Sequence, residues 1–328
     1  MNTTAVPPSP APKKKSQLLP LIAVALSNVA LAFGPWFVRL ADTGPVASAF
    51  WRMALAAPLL FVAAMLLGQR PIAQARGLWW VLVLSGLAFA ADIGSWHAGI
   101  LRTSLANATL FGNAAVLIFP IYGFLVMRAW PTRMQGAALA LAAVGGGLLL
   151  GRSAGLSPEN LTGDLLCLLG GVLYSGYFVL MARARTAMAP LPALALSSII
   201  SAVPLLVVAI MLGERVLPDS WGPLVGLALV SQVIGQALMI YALGHLSPLV
   251  VGIALLIQPV VSGTIGWVVY DERLGALDFM GAALVAVALV LVRRGDRPVE
   301  ELEPVPDPDP DPEQLAPAGA PAQRMTDG

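Results

Sequence analysis

Long apolar stretches, separated by short polar or Pro/Gly breaks, follow one another along almost the whole chain. Most of them approach about 20 residues, the length that an α-helix needs to cross the hydrocarbon core of a bilayer. Strands of a membrane barrel would alternate apolar and polar positions, which these unbroken runs do not do. The pattern therefore predicts an all-α integral membrane protein with ten transmembrane helices. The ten predicted spans are 18–38, 45–67, 78–98, 104–127, 134–150, 164–184, 191–212, 223–243, 248–269 and 276–292.

The composition also indicates that the chain lies in a lipid bilayer. Hydrophobic residues make up 58% of the 328 residues and charged residues only 11%, with a mean hydropathy of +0.80. So few charged side chains cannot cover a core of this size in water, so the lipid bilayer is the expected partner of most of the chain. A net charge of +1 leaves no basic face, which argues against nucleic acid as a partner.

The two ends of the chain differ from the apolar body. Residues 1–16 are rich in Pro and end in three lysines, and residues 295–328 are acidic and Pro-rich, so both are predicted to be disordered tails. With the N-terminus inside, twelve Lys and Arg residues fall on the inner side and five on the outer side. This bias predicts a multi-pass protein of the inner or plasma membrane with both termini in the cytoplasm. The inner set is Lys13, Lys14, Lys15, Arg70, Arg76, Arg128, Arg133, Arg183, Arg185, Arg293, Arg294 and Arg297, and the outer set is Arg39, Arg102, Arg152, Arg215 and Arg273.

The two halves of the chain resemble each other. Residues 58–66 (PLLFVAAML) recur as residues 204–212 (PLLVVAIML), and two shorter matches, at 123–124 and 136–139, recur at 266–267 and 281–284. The offsets are all 143 to 146 residues. The common offset predicts a duplication, with one repeat in 17–152 and the other in 163–294.

An odd number of spans in each repeat places the second repeat upside down relative to the first. Two inverted repeats are related by a pseudo-twofold axis in the membrane plane, and they can expose one central site alternately to each side. The arrangement favours a transporter that works by alternating access.

Several short segments resemble a known family. Residues 50–53 (FWRM), 103–110 (TSLANATL), Gln258-Pro259 and 271–274 (DERL) look like the EamA-type drug/metabolite transporter superfamily. The resemblance covers about 18–294. It implies a bundle of two inverted five-helix repeats that moves small metabolites, often amino acids, usually outward. Gln258 stands where the family often has Glu.

Arg52 and Asp92 are the only formal charges well inside predicted spans. Counting at 1.5 Å per residue puts both roughly 10 Å below the outer surface, so they are level with each other. A charge at this depth needs a partner or a wet cavity. Three interpretations stay open: a structural ion pair, a site in which Arg52 binds a substrate carboxylate or phosphate with Asp92 orienting it, and an Arg52 that snorkels outward. The second repeat has Ser198 where the first has Arg52, which favours function.

A second group of polar residues falls near mid-depth on separate spans. Their commonest role is interhelical hydrogen bonding, but their shared depth also fits a polar cavity between the repeats. The predicted substrate-binding set is Arg52, Asp92, Asn28, Asn113, Tyr174, Gln232 and Gln258.

The remaining motifs limit the function. No Gly-rich phosphate loop is present, the two histidines are far apart along the chain, and there is a single Cys. We therefore predict no enzyme, no catalytic residues, no metal and no cofactor. The prediction is a secondary transporter that exports a small-molecule substrate such as an amino acid, with a channel or a membrane-embedded sensor as the alternative. Protons are a further candidate partner through Asp92, with uncoupled facilitation equally open, and the protein is expected to be a monomer or a homodimer.

Overall fold

The computed structural model describes residues 18–100, 102–103, 111–112, 114–128, 130–151, 158–270 and 275–295. Within these residues the regular structure is entirely helical, which confirms the all-α prediction. By length and composition, six helices can cross a membrane: Leu18–Leu40, Pro45–Leu66, Trp79–Trp96, Leu161–Ala184, Pro190–Met211 and Gly222–Leu243. Three shorter helices are also apolar: Ala115–Val126, Pro248–Val261 and Phe279–Val292. The count of ten spans stays a prediction, and nearly all of both predicted tails lies outside the described residues.

We number the described α-helices in chain order. The first half contains α1 (Leu18–Ala32), α2 (Gly34–Leu40), α3 (Pro45–Leu66), α4 (Pro71–Gln74), α5 (Trp79–Ile100), α6 (Ala115–Met127) and α7 (Arg133–Gly151). The second half contains α8 (Leu161–Ala184), α9 (Pro190–Met211), α10 (Gly222–Gly226), α11 (Ala237–Leu243), α12 (Pro248–Ala254), α13 (Ile257–Tyr270) and α14 (Ala276–Gly295). A π-helical segment, Leu227–Gln236, joins α10 to α11.

Two predicted spans are broken, which hydropathy did not indicate. The first span divides at Phe33 into α1 and α2, and the span 248–269 divides at residues 255–256 into α12 and α13. Pro35 follows the first break and Pro259 the second. Proline has no N–H to donate and its ring collides with the carbonyl four residues earlier, so each one ends the helix that precedes it.

Each long helix packs most extensively on a helix of the other half. The principal pairs are α3 with α9, α5 with α8, α7 with α14, α6 with α12, and α1 with the π-helical segment and α11. If the ten predicted spans of the two halves are exchanged, span one maps onto span six and span eight onto span three. The pair formed by spans one and eight then becomes the pair formed by spans six and three, and the other pairs stay the same. The contacts therefore have the pattern of a pseudo-twofold axis.

Two side chains tie the ends of α3 and α9 together. Glu214, in the loop after α9, accepts a hydrogen bond at Oε2 from the Ala47 backbone N–H in the first turn of α3 (2.8 Å). Gln74 of α4, after α3, accepts one at Oε1 from the Ala189 N–H just before α9 (2.8 Å). The first helical N–H groups have no partner within their own helix, so each side chain satisfies a donor at a helix start.

Candidate functional site

A chain of buried polar groups runs from α3 to α9 through the π-helical segment. Arg52 Nε donates to Gln232 Oε1 at 2.9 Å, and Gln232 Nε2 donates to Ser198 Oγ at 3.0 Å. Gln232 and Ser198 are buried. The helix pairing brings together Arg52 and its counterpart in the second repeat, Ser198, and one amide bridges them.

This bridge leaves most of the Arg52 guanidinium available. Among the described residues its one hydrogen bond comes from Nε, and the Nη1 and Nη2 groups have no acceptor. The guanidinium carbon lies 5.8 Å from the centroid of the Phe89 ring, a cation–π distance. A guanidinium fixed at Nε presents its two terminal nitrogens as a fork, the geometry that binds a carboxylate or a phosphate through two hydrogen bonds.

Asp92 forms no direct ion pair with Arg52 in the part of the chain that is described. The Asp92 carboxylate lies instead at the contact between α5 and α8, where a Cβ added to Gly170 would be 3.3 Å from Oδ1. The described residues therefore show no salt bridge between Arg52 and Asp92, and their equal depth stays a prediction.

Aromatic rings from α5 and α8 lie below the Arg52 guanidinium. Phe89 stacks on Tyr177 with ring centroids 4.5 Å apart and an interplanar angle of 17°. Tyr174 stacks on Tyr177 at 6.1 Å and contacts Phe178 at 4.3 Å. We call Phe89, Tyr174, Tyr177 and Phe178 the aromatic cluster. Its rings form a rigid apolar surface beside the hydrogen-bonded groups of Arg52, Gln232 and Ser198.

The π-helical segment contributes two amides to the same interior. Its backbone hydrogen bonds run from residue i to residue i+5, a register that is rare and often found at functional sites. Gln232 and Gln236 are both buried on it. Gln236 Nε2 donates to the Tyr177 hydroxyl at 3.2 Å, which connects the segment to the aromatic cluster.

Comparison with known proteins identifies the family. The EamA-like transporter family matches residues 10–151 and again residues 161–294. The chain belongs to the EamA-like transporter family. Membership of this family and the apolar helices make it a membrane protein with several transmembrane helices, as the sequence analysis predicted. The family model thus matches the chain twice, once in each half.

Individual relatives of this EamA-like protein say less about it than the family match does. An uncharacterized transporter of Archaeoglobus fulgidus is 28% identical over 147 residues, which are 44% of this chain and 50% of the relative. The chain thus spans about half the length of the curated relative that it matches. A solved crystal structure of a protein superposes with a TM-score of 0.68 at 17% identity, covering 84% of this chain and 97% of the other. That likeness concerns the fold alone.

The remaining predicted residues of this EamA-like transporter form a separate pair. Gln258 Nε2 donates to Asn28 Oδ1 at 2.8 Å, and Asn28 Nδ2 donates to the Val24 carbonyl of its own helix at 2.7 Å. The predicted set therefore divides into a group around Arg52 and a group between α1 and α13. Asn113 lies outside the described residues.

Sequence reasoning missed three members of the group in this EamA-like transporter: Gln236, Tyr177 and Phe89. A signal for two of them existed, because Gln236 follows Gln232 by four residues and Tyr177 follows Tyr174 by three. These spacings put each pair on one helix face. Phe89 carries no such signal, because an apolar ring in an apolar span is unremarkable.

The structure also contains an apolar cavity of about 350 Å³, whose lining includes none of the residues around Arg52. Phe33, Trp36, Val261, Ile265 and Val268 are among the residues that line it, between the first span and α13. Its wall offers almost no hydrogen-bonding group, so it cannot replace the water around a polar solute. We therefore take the group around Arg52, and not this cavity, as the candidate site.

Proposed function

We propose that this chain is a secondary transporter that exports small anionic or zwitterionic metabolites, such as amino acids, by alternating access. The single observation that carries the proposal is the Arg52 guanidinium, which is held at Nε by Gln232 and has its fork unpaired among the described residues. A charge inside a transmembrane helix is expensive and persists where it meets a ligand, a partner or a wet cavity. An anionic substrate group is the ligand that fits this fork.

The helix pairing supports alternating access. A repeat arrangement with a pseudo-twofold axis provides two equivalent conformations, which differ in the side that the central site faces. The two family matches, 10–151 and 161–294, agree with this duplication. In the proposal the repeats occupy 17–152 and 163–294. The substrate site consists of Arg52, Asp92, Tyr174 and Gln232, and the predicted polar cavity between the repeats is completed by Asn28, Asn113 and Gln258.

Exchange of labelled substrate in proteoliposomes tests the proposal. We expect saturable uptake with counterflow for some members of an amino-acid panel, and a loss of about 10- to 100-fold in Arg52→Gln, as for loss of a charged hydrogen bond. Arg52→Lys keeps the charge but not the planar fork, so its uptake should lie between those of the wild type and Arg52→Gln. Arg183→Gln, which removes an exposed arginine stacked on Trp80, is the matched control. Wild-type flux in Arg52→Gln would contradict the proposal, and flux without counterflow would indicate a channel.

A pH gradient tests the part assigned to protons. If Asp92 carries a proton against the substrate, an imposed gradient should drive accumulation in the wild type and not in Asp92→Asn. Equal accumulation in both would show that coupling does not pass through Asp92, and no response of the wild type to the gradient would assign the protein to uncoupled facilitation.

We further propose that the chain lies in the inner or plasma membrane with both termini in the cytoplasm, on the basis of the Lys and Arg distribution. A fluorescent protein fused after Gly328 should be bright and alkaline phosphatase at the same position inactive. The opposite result would reverse the orientation.

A further inference from the structure

The amide of Gln236 is half satisfied. The side chain is 0% exposed, and its Nε2 donates to the Tyr177 hydroxyl. Its Oε1 has no hydrogen-bond partner among the described residues. Buried acceptors are almost always paired, because the interior offers no water in exchange, so an unpaired one indicates a donor that is present only at times.

The position of this acceptor relates it to Arg52. Gln236 contacts Tyr177, the Tyr177 ring stacks on Phe89, and the Arg52 guanidinium lies over Phe89. The amide nitrogen of Gln236 has a partner in the Tyr177 hydroxyl, so the amide oxygen is the group left for another molecule.

We propose that Gln236 is a specificity-determining residue, whose Oε1 accepts a hydrogen bond from an ammonium or amine of the substrate while Arg52 binds the carboxylate. The inference rests on the proposed function and deepens it, since it restricts the substrate to molecules that carry both groups. A site built to receive a donor rejects an analogue that lacks it, because the buried acceptor is then left unpaired.

A fixed water molecule is the competing explanation for the unpaired oxygen. Such a water would satisfy Gln236 in every state of the protein and would stay when substrate binds. Replacing Gln236 would then change the stability of the protein, but it would not change the preference between two ligands that differ only in the amine. The ratio of two affinities separates the two explanations.

The experiment compares L-leucine with 4-methylpentanoate and L-phenylalanine with 3-phenylpropanoate, each pair differing only in the α-amine. Affinities are measured by thermal-shift titration of the purified full chain and by inhibition of counterflow. We expect the wild type to prefer the amine-bearing member of a pair by at least about tenfold. Gln236→Met should reduce that preference about tenfold, by weakening the amine-bearing ligand alone. Gln135→Met, which removes an amide paired with Thr132 at the start of α7, should leave the preference unchanged.

The outcomes are distinct. An unchanged preference in a folded Gln236→Met protein overturns the inference and leaves the proposed function standing, as does a preference that disappears in Asp92→Asn but not in Gln236→Met. If the wild type binds neither member of either pair, the amino-acid form of the proposed function fails and this inference fails with it. Where Gln236→Met does not fold, Gln236→Glu serves instead, because it keeps an oxygen acceptor of the same shape. It should keep or increase the preference, and a loss would overturn the inference.

Discussion

The bridge between α3 and α9 makes a quantitative prediction for Gln232→Leu. The substitution keeps the side-chain volume and removes two hydrogen bonds, one from the Arg52 guanidinium and one to Ser198. Interhelical hydrogen bonds in membrane proteins contribute about 0.6 kcal/mol on average and up to about 1.7. A charged donor that loses its acceptor belongs at the upper end of this range. We therefore expect Gln232→Leu to lower the free energy of unfolding by about 2 kcal/mol.

Two further variants assign this loss to its two parts. Ser198→Ala removes only the neutral bond and should cost about 0.6 kcal/mol. In an Arg52→Met background the charged donor is already absent, so Gln232→Leu should then also cost about 0.6 kcal/mol. The coupling energy between Arg52 and Gln232 is the difference, about 1.5 kcal/mol.

The lone cysteine provides the assay. Cys167 is 0% exposed on the α8 face that packs against α5, so a thiol-reactive dye labels it only when these helices separate. Unfolding in detergent micelles of increasing denaturant content gives the free energies for the four proteins of the cycle. If Gln232→Leu costs the same with and without Arg52, the bridge carries no energy and the account of how Arg52 is held is wrong.

Three further predictions concern packing, a helix start and acid. Gly86→Ala would place a Cβ 2.6 Å from an α9 side chain and should cost about 1–3 kcal/mol of stability. Gly94→Ala, on the same helix with no atom within 4 Å, should be neutral or stabilising by up to about 1 kcal/mol; equal costs would refute the close packing. Glu214→Leu removes the acceptor of the Ala47 N–H and should cost about 1 kcal/mol in the Cys167 assay, whereas Glu214→Gln should cost less. A backbone hydrogen bond lowers the pKa of Asp42, so its stabilisation is present above its ordinary pKa of 3.8 and is lost as the pH falls through the lowered value. Asp42→Asn should flatten the acid side of the stability profile between about pH 5 and pH 2, and an unchanged profile would contradict this.

Hydropathy predicted the bounds of a helix well where a proline marks its first turn. The span predicted at 45–67 is observed as Pro45–Leu66, and the one predicted at 191–212 as Pro190–Met211. Both begin at a proline, which suits the first turn of a helix because it needs no N–H there. The pattern could not show the breaks at Phe33 and at 255–256 or the π-helical register, because hydropathy measures composition and not which carbonyl an N–H reaches.

Residue counting predicts a depth for each candidate side chain but not the direction in which it points. Counting gave a depth for Arg52 and for Gln232, and the repeat alignment made Ser198 the counterpart of Arg52. Whether two side chains meet depends on the rotation of each helix about its axis, which packing decides and sequence spacing does not. Asp92 lies level with Arg52 by counting, yet Gln232 receives the hydrogen bond. The unpaired oxygen of Gln236 has no sequence signature at all.

The pairing of every long helix with one from the other half has a consequence for how the protein is made. A ribosome that has delivered α1–α7 to the bilayer has delivered helices whose principal partners are not yet synthesised. Insertion and assembly are thus separated in time, and lasting tertiary contacts start to form when α8 arrives beside α5. Until then the first half consists of inserted helices that lack their principal partners and can be degraded by the proteases of cell quality control. Delayed synthesis of residues 161–184 therefore prolongs the time during which the first half can be degraded.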